Sequence, residues 1–551
     1  MKIAEEDHKK MKQVIAELRN DRYSFWTLWR ELANYYLPKR YVWLQSDKER
    51  RVRDAKNPYI LDSTGTSAAR ILASGMMNGI TSPSRPWFKL RIPGYDDEGG
   101  EVTRWSDEVT RRMMFVMSES NFYNSMAVLY LDLVVFGTAA NLIYEDDETT
   151  IRCFNPALGE YYLGQNDRLS VDTFAREFTQ SVKQLVQWFG EENLCEASRA
   201  KWKKGGAEAL TQVHITHLIE PNFGNSGVPE KFAYREVYWE TNGPSGQVLA
   251  QRGFNELPGI FPRWELTAND SYGTGPGMDA LPDVIQLQLE TKRKAQGLDK
   301  MINPPIVADV QLQHRPTALM PNGITFIAGA NNVGAKALYQ ITAPLQEMTA
   351  DIRDVQLRIR ETFFNQLFNM ISQLDTVRSA TEINARREEK LVLLGSVLER
   401  FENEALDPAI ARIFSIMSRA GMLPEAPEAL GDADIEIQYV SILSQAQRAV
   451  AAAPTERWLA LLGNLAAVSP EALQVANMEE LVRDYGLAIG VEAKNMRTRD
   501  EVAALAEAAQ RQKAAQEAAV VGPELVDGAK TLSETDVGGG SNALQALLAQ
   551  G

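Results

Sequence analysis

Residues 344–421 carry two long amphipathic helical patterns separated by a short polar joint. Leu345, Met348, Ile352, Val355 and Ile359 recur at alternating three- and four-residue steps, and Phe363 and Leu367 continue the stripe. That is the period of one helix face, and Glu347, Asp351, Arg353, Asp354, Arg358 and Arg360 occupy the others. A helix from Pro344 to about Asn369 would be about 39 Å long. The joint reads Ser372-Gln373-Leu374-Asp375-Thr376-Val377-Arg378. Ser379 and Glu382 then have capping-box spacing and open a second helix through Arg386, Leu391, Leu394, Leu398 and Phe401. Two long helices about a polar joint suit a rod-and-hinge device better than a pocket enzyme.

The chain has 551 residues, too many for one ordinary core, so about three modules are expected. Its 44% hydrophobic and 24% charged residues are those of a globular protein. The net charge of −15 excludes a basic face wrapped around nucleic acid, because phosphate affinity comes mainly from Lys and Arg. An acidic tube around DNA remains open to it, since such a wall repels phosphate and lets it slide. Cys153 and Cys195 form no metal or redox pattern and are expected as free thiols. The start, Met1 to Asp7, is too charged for a signal peptide, so none is expected. Met126–Tyr144 imitates a membrane span but contains Asp132 and Asn141; a central Asp costs roughly 2.5–3.5 kcal/mol on insertion. A buried helix broken at Gly137 is the expectation, with no membrane insertion.

Residues 1–45 read as helices with an aromatic stripe (Phe25, Trp26, Trp29, Tyr35, Tyr36) ended by Pro38. Ser63, Thr64 and Thr66 are cap candidates for a small-residue helix, which Thr81–Pro86 stops before a strand over Trp87–Ile92. A helical tract covers roughly 101–144. From 151 to 266 the period falls towards two, with Asn242–Gly246 as a turn between strands and a short helix near Val182–Phe189. Tyr272–Gly277 reads as a glycine hinge before a helix of about twenty residues carrying Leu281, Ile285, Leu289 and the basic run Lys292, Arg293 and Lys294. Residues 303–343 are rich in Pro and Gly and form an excursion between two long helices. Ile435–Val440 is one strand, 442–520 is alanine-rich and helical, and 521–551 is a flexible tail. The fold class is α+β, mostly helical.

Chemistry is sparse. No Gly-x-x-x-x-Gly-Lys-Ser/Thr loop is present, and Gly273–Gly277 lacks dinucleotide-binding spacing. His214 and His217 are the best metal suspects, but on a strand positions three apart face opposite ways, so no metal or other cofactor is expected. Glu145–Glu148 reads as a solvated loop run, and Lys292, Arg293 and Lys294 as a solvated helix face with phosphate contact as the minority reading. No catalytic residues are assigned.

The order of parts resembles the portal protein, or head-to-tail connector, of short-tailed tailed bacteriophages. Leu61–Arg70 through Ser82–Phe88 is similar to that family's early region, as are Pro304-Pro305 and Ser379–Ile383. The resemblance implies a wing/stem/clip/crown architecture assembled into a ring. Carried over, 1–276 is the wing, 277–302 the first stem helix, 303–343 the clip and 344–364 the second stem helix. Residues 365–378 become the tunnel loop, 379–441 the wing's long helix and returning strand, and 442–520 the crown. The resemblance further implies a dodecamer at one capsid vertex of the virion, assembled in the host cytoplasm. Double-stranded DNA passes through it during packaging and ejection, and a terminase motor, a tail adaptor, and the major capsid and scaffolding proteins are its partners. Twelve copies would carry roughly −180. Asn369, Ser372, Gln373, Asp375 and Arg378 then belong to the DNA-facing loop, and Lys292, Arg293 and Lys294 to a basic stem face. Leu345, Met348, Ile352, Val355 and Ile359 become oligomer-packing positions, because their apolar stripe exceeds one subunit's need. Another head–tail adaptor or tail structural protein, or a multidomain enzyme, are the alternatives.

Overall fold

The computed structural model describes residues 2–41, 44, 59–92, 101–224, 227–302, 306–307, 336–337, 344–372, 394–427 and 435–440, with isolated positions between 458 and 534. The chain forms two units. One comprises 1–93 with 104–447, and the other 94–103 with 448–551. In the second unit, the described positions 458, 461–463, 481, 502, 505 and 507–509 are helical. Among the described residues no helix is long and apolar enough to cross a membrane.

The first unit opens with helix α1 (Glu5–Tyr35) and a single turn, α2 (Pro38–Tyr41). The α1 stripe Met11, Ile15 and Leu18 packs on Tyr162, Ala175, Leu218, Val237 and Trp239 of a five-stranded antiparallel sheet. That sheet contains β4 (Tyr161–Gln165), β5 (Val171–Ser181), β6 (Gln212–Pro221), β7 (Tyr234–Glu240) and β8 (Ala250–Phe254), hydrogen-bonded in that order. Strand alternation sends Phe178, Ile215 and Tyr238 to the other face, where α6 (Val182–Phe189) covers them with Val182 and Leu185. A capping box between Ser181 and Gln184 starts α6. Both faces of the sheet are therefore covered, which is why the strands carry more apolar residues than simple alternation requires. Helix α7 (Glu196–Lys204) follows α6. Asn242–Gly246 lies between β7 and β8, as expected.

Helix α3 (Thr64–Ile80) packs against α5 (Phe122–Phe136), and α4 (Glu101–Glu119) precedes α5. The capping group of α3 is Asp62, whose Oδ1 accepts from Thr64 N at 2.8 Å and from the Thr64 hydroxyl at 2.6 Å, while Ser63 makes no side-chain cap bond. The membrane-like stretch is a buried helix, and it ends where expected, at Gly137 with φ +71°. The helical tract ends sooner than the pattern suggests: Asn141–Asp146 is strand β2, paired with β3 (Thr150–Phe154) and β9 (Gly259–Ile260). The acidic Glu145–Glu148 run is the β2–β3 hairpin, where Asp146 Oδ2 accepts from Thr149 N at 2.9 Å.

The Gly273–Gly277 cluster is not a free hinge. A side chain at Gly277 would overlap Val135 backbone, and one at Gly273 would overlap Gly137 O, so these glycines permit close backbone approach to the end of α5. The short helix α8 (Pro276–Asp279) then leads into α9 (Leu281–Ile302). Strand β1 (Phe88–Arg91) pairs antiparallel with the returning strand β12 (Glu436–Tyr439), Phe88 opposite Tyr439. The helical residues 394–401 continue through a π-turn, Glu402–Leu406, into α12 (Asp407–Arg419). Leu394, Leu398 and Phe401, expected on one face, are all buried. At the π-turn Glu404 Oε1 and Oε2 grip Arg263, 1% exposed, at 2.7 and 3.2 Å.

Candidate functional site: a helical hairpin anchored at one end

Helix α9 is partnered by α10 (Leu345–Thr362). Arg358 Nη2 reaches Asp283 Oδ1 at 3.1 Å, and Lys294 Nζ donates to Thr349 Oγ1 at 2.8 Å. Position 283 opposite 358 and 294 opposite 349 means that the two helices run antiparallel. Between them, the described residues of the excursion are one antiparallel pair, β10 (Ile306–Val307) with β11 (Lys336–Ala337).

The hairpin is unevenly buried. On α9 the buried residues are Leu281, Val284, Leu287 and Gln288, all in the first eight positions, and on α10 they are Ile352, Val355 and Ile359. From Leu289 to Ile302 no residue is buried, a length of about 21 Å. Leu289 (45% exposed), Leu298, Met301 and Ile302 (74%) lie on this free part. Burying apolar surface contributes about 25 cal/mol per Å², so Leu298, Met301 and Ile302, left open together near the end of α9, are a small apolar patch whose covering would be stabilising.

Asp62 organises the anchored end. Gln288, 6% exposed, accepts from Leu61 N and Asp62 N at 2.7 and 2.8 Å and donates to Asp62 O at 2.8 Å. Gln356 of α10 donates to Asp62 Oδ2 at 2.7 Å. One residue thus joins three helices: the Asp62 carboxylate reaches α3 and α10, and its backbone reaches α9. Burial raises the Asp62 pKa, but hydrogen bonds from Thr64 and Gln356, with the Arg360 charge, outweigh it and hold the group below the usual carboxylate range.

The long helix expected to run to Asn369 breaks at Phe363–Phe364. Phe364 adopts φ +52°, a region costly for a bulky L-residue, and α11 (Asn365–Ser372) starts after it as a separate helix. The fragment is held on α3: the Phe368 ring lies against Gly75, where any Cβ would overlap it, and buried Asn365 sets its amide against the carbonyls of Phe363 and Ala68 at 3.1 and 3.0 Å. Tertiary contacts with α3 override the continuous helical period.

Of the residues singled out in the sequence, Lys292 and Arg293 are exposed on the free part of α9, whereas Lys294 is half-buried and engaged with Thr349. Ile352, Val355 and Ile359, expected to pack between subunits, are buried within this chain on the α10 side that meets α9 and α3; Leu345 and Met348 are half-buried. Asn369 and Ser372 lie on α11. Gln373, Asp375 and Arg378 fall outside the described residues, as do Ser379 and Glu382. His214 is exposed and His217 fully buried, on opposite faces of β6. His217 Nε2 lies 2.9 Å from Glu236 Oε1, and burial pushes its pKa down to about 4. Cys153 and Cys195 are free and buried, with burial pushing both thiols up to about 12. Sequence reasoning missed the Gln288–Asp62 junction, although an amide on the apolar face of α9 was its signal.

Residues 8–496 match the family described as bacteriophage head to tail connecting protein. The chain belongs to this family. It is 39% identical over 542 residues to the portal protein of Salmonella phage epsilon15, covering 97% of this chain and 96% of the relative. It is also 35% identical over 515 residues to a "probable portal protein" of Bordetella phage BPP-1, covering 92% of each.

Proposed function

We propose that this chain is the portal protein of its phage, twelve copies of which close into a ring at one capsid vertex of the virion. The observation that carries this reading is the α9–α10 hairpin, anchored at Asp62, whose free length ends in the exposed apolar group Leu298, Met301 and Ile302, uncovered among the described residues. In a closed ring, rotation repeats the same contact, so each copy covers Leu298 and Ile302 of the next. On this reading the hairpin is the stem and 303–343 the clip, which docks the terminase motor and later the tail adaptor. Residues 365–378 form the tunnel loop, with Asn369, Ser372, Gln373, Asp375 and Arg378 at the channel. Residues 379–441 join the wing facing the capsid and scaffolding proteins, and 442–520 form the crown. The assembly takes place in the host cytoplasm.

The mechanism follows from charge and geometry. A ring of acidic subunits repels DNA at long range, while neutral amide and hydroxyl groups of the loop exchange phosphate for water at little cost, so the genome slides without adhering. Lys292 and Arg293 supply local attraction along the stem. The chain acts as conduit and platform and catalyses nothing, the packaging motor being a separate protein. The experiment is a packaging assay with procapsids carrying a portal shortened over 370–377. Rings of normal size that retain less DNA support the reading; full-length genomes at normal yield reject the loop's role.

A further inference from the structure

A cleft of about 390 Å³ lies between β8 and α12, and its wall includes Tyr144, Arg252, Phe254, Arg412 and Arg419. Arg412 is 2% exposed. Its Nε donates to the Ile143 carbonyl at 3.3 Å, its Nη1 to Glu256 Oε1 at 2.5 Å, and its guanidinium lies 5.1 Å from the Phe254 ring centroid. Its Nη2 is closed to solvent and has no acceptor among the described residues. Arg419 spends Nε and Nη2 on Glu145 Oε1 at 3.0 and 2.6 Å, with Glu256 Oε1 at 3.3 Å. Arg252 is exposed; it stands opposite Glu236 in the β7–β8 pairing and acts on that carboxylate electrostatically, with no hydrogen bond from its guanidinium among the described residues.

An unsatisfied donor on a buried cation is costly, and it calls for a ligand, ion or water that completes it. The charge count narrows the choice. Glu236, opposite Arg252 in the β7–β8 ladder, also bears on the cleft and is matched by Arg176 on the far side of His217; Arg176, Arg252, Arg412 and Arg419 against Glu145, Glu236 and Glu256 leave one positive charge, in a chain whose total is −15. One carboxylate neutralises that excess. A phosphate monoester, at about −1.5 to −2, would overshoot it and meet Glu145, whose side chain is 54% exposed. The cleft is also bordered by a sheet edge: β8 pairs with β7 on one side and with no other described strand. Arg252 and Phe254, two apart, project from the same face of that edge. An extended peptide can therefore lie along β8 and place an acidic side chain over the arginines.

We propose that this cleft binds one carboxylate presented by an acidic peptide segment of another protein chain, with Arg252 and Arg419 at its mouth, Arg412 beneath and Phe254 against the segment's apolar stem. The test uses the full-length protein and a fluorescein-labelled Ala-Glu-Phe-Glu-Ala peptide read by fluorescence anisotropy. Arg252→Gln and Arg419→Gln are each expected to weaken binding roughly 10-fold, the scale of one charge-assisted hydrogen bond, with the thermal midpoint unchanged. Glu145→Gln removes a competing carboxylate and is expected to tighten binding a few-fold (~3-fold), a gain that misfolding does not produce. The peptide with Gln in place of both Glu is expected not to bind. Absence of binding, equal affinity for the Gln peptide, or affinities unmoved by all three variants would overturn the proposal. So would variants that leave the peptide untouched and instead lose affinity for a short DNA duplex, which would make the cleft a phosphate site.

Discussion

Replacing Gln288 by Ala tests the junction that holds the stem hairpin to the rest of its unit. The substitution removes the acceptor of two backbone N–H groups, Leu61 and Asp62, and the donor to the Asp62 carbonyl. A buried group left without its partner costs about 1–3 kcal/mol. Leu61 is 54% exposed, so water can replace one of the lost bonds, and the net loss is about 2–3 kcal/mol. That loss corresponds to roughly a 30- to 150-fold rise in local opening. Native-state hydrogen exchange followed by mass spectrometry reads it directly. Peptides covering 59–72 in α3 and 281–288 in α9 are expected to lose protection, while β6 keeps its own. Unchanged exchange over 59–72 would refute the anchoring role. Equal acceleration everywhere, β6 included, would show that Gln288 supports general stability and nothing local.

Other substitutions separate the remaining parts of the account. Gly75→Val places a side chain where the Phe368 ring lies, so α11 is expected to detach and exchange faster over 365–372 while α10 stays protected; unchanged exchange would contradict the packing. Leu298→Asp and Ile302→Asp lie on exposed positions and are expected to keep the monomer fold but abolish ring assembly in sedimentation velocity. Two of the groups that shape the pH response, His217 and Asp132, act in opposite directions. His217, held near 4 against an unfolded value near 6.5, takes up its proton more readily in the unfolded chain, so its contribution to stability is full above about pH 6.5 and is lost as pH falls towards 4. Asp132, raised to about 6 chiefly by burial with Arg40 opposing, has the reverse sign: its penalty of about 3 kcal/mol is absent below about pH 4 and complete above 6. Denaturant titrations between pH 4 and 6.5 are expected to show Asp132→Asn steepening the loss of stability towards acid, and His217→Asn flattening it.

The sequence made the helices and their order legible because apolar stripes report which face is buried. The break at Gly137, the turn at 242–246 and the returning strand at 436–439 follow from local chemistry that operates within a few residues. What periodicity cannot report is the identity of the covering partner. The Leu345–Ile359 stripe reads as a surface for another subunit, yet Val355 and Ile359 are fully buried within their own chain. The break at Phe364 was illegible for a related reason: no Gly or Pro marks it, and the left-handed residue persists because Phe363, Leu367 and Phe368 are buried on both sides of it. The Gly273–Gly277 cluster signalled a special backbone, but only the tertiary fold reveals that the special demand is contact with α5. The apolar side chains that stay open among the described residues of the hairpin lie instead on the free length of α9, where Leu298 and Ile302 stand one helical turn apart.

Single-particle electron microscopy of the purified full-length protein tests the central proposal most directly. The account predicts closed rings with twelvefold rotational symmetry, a central channel open along the axis, and α9 and α10 placed where neighbouring subunits meet. Particles that remain monomeric at micromolar concentration, or that associate as twofold dimers with Leu298 and Ile302 open to solvent, would contradict it.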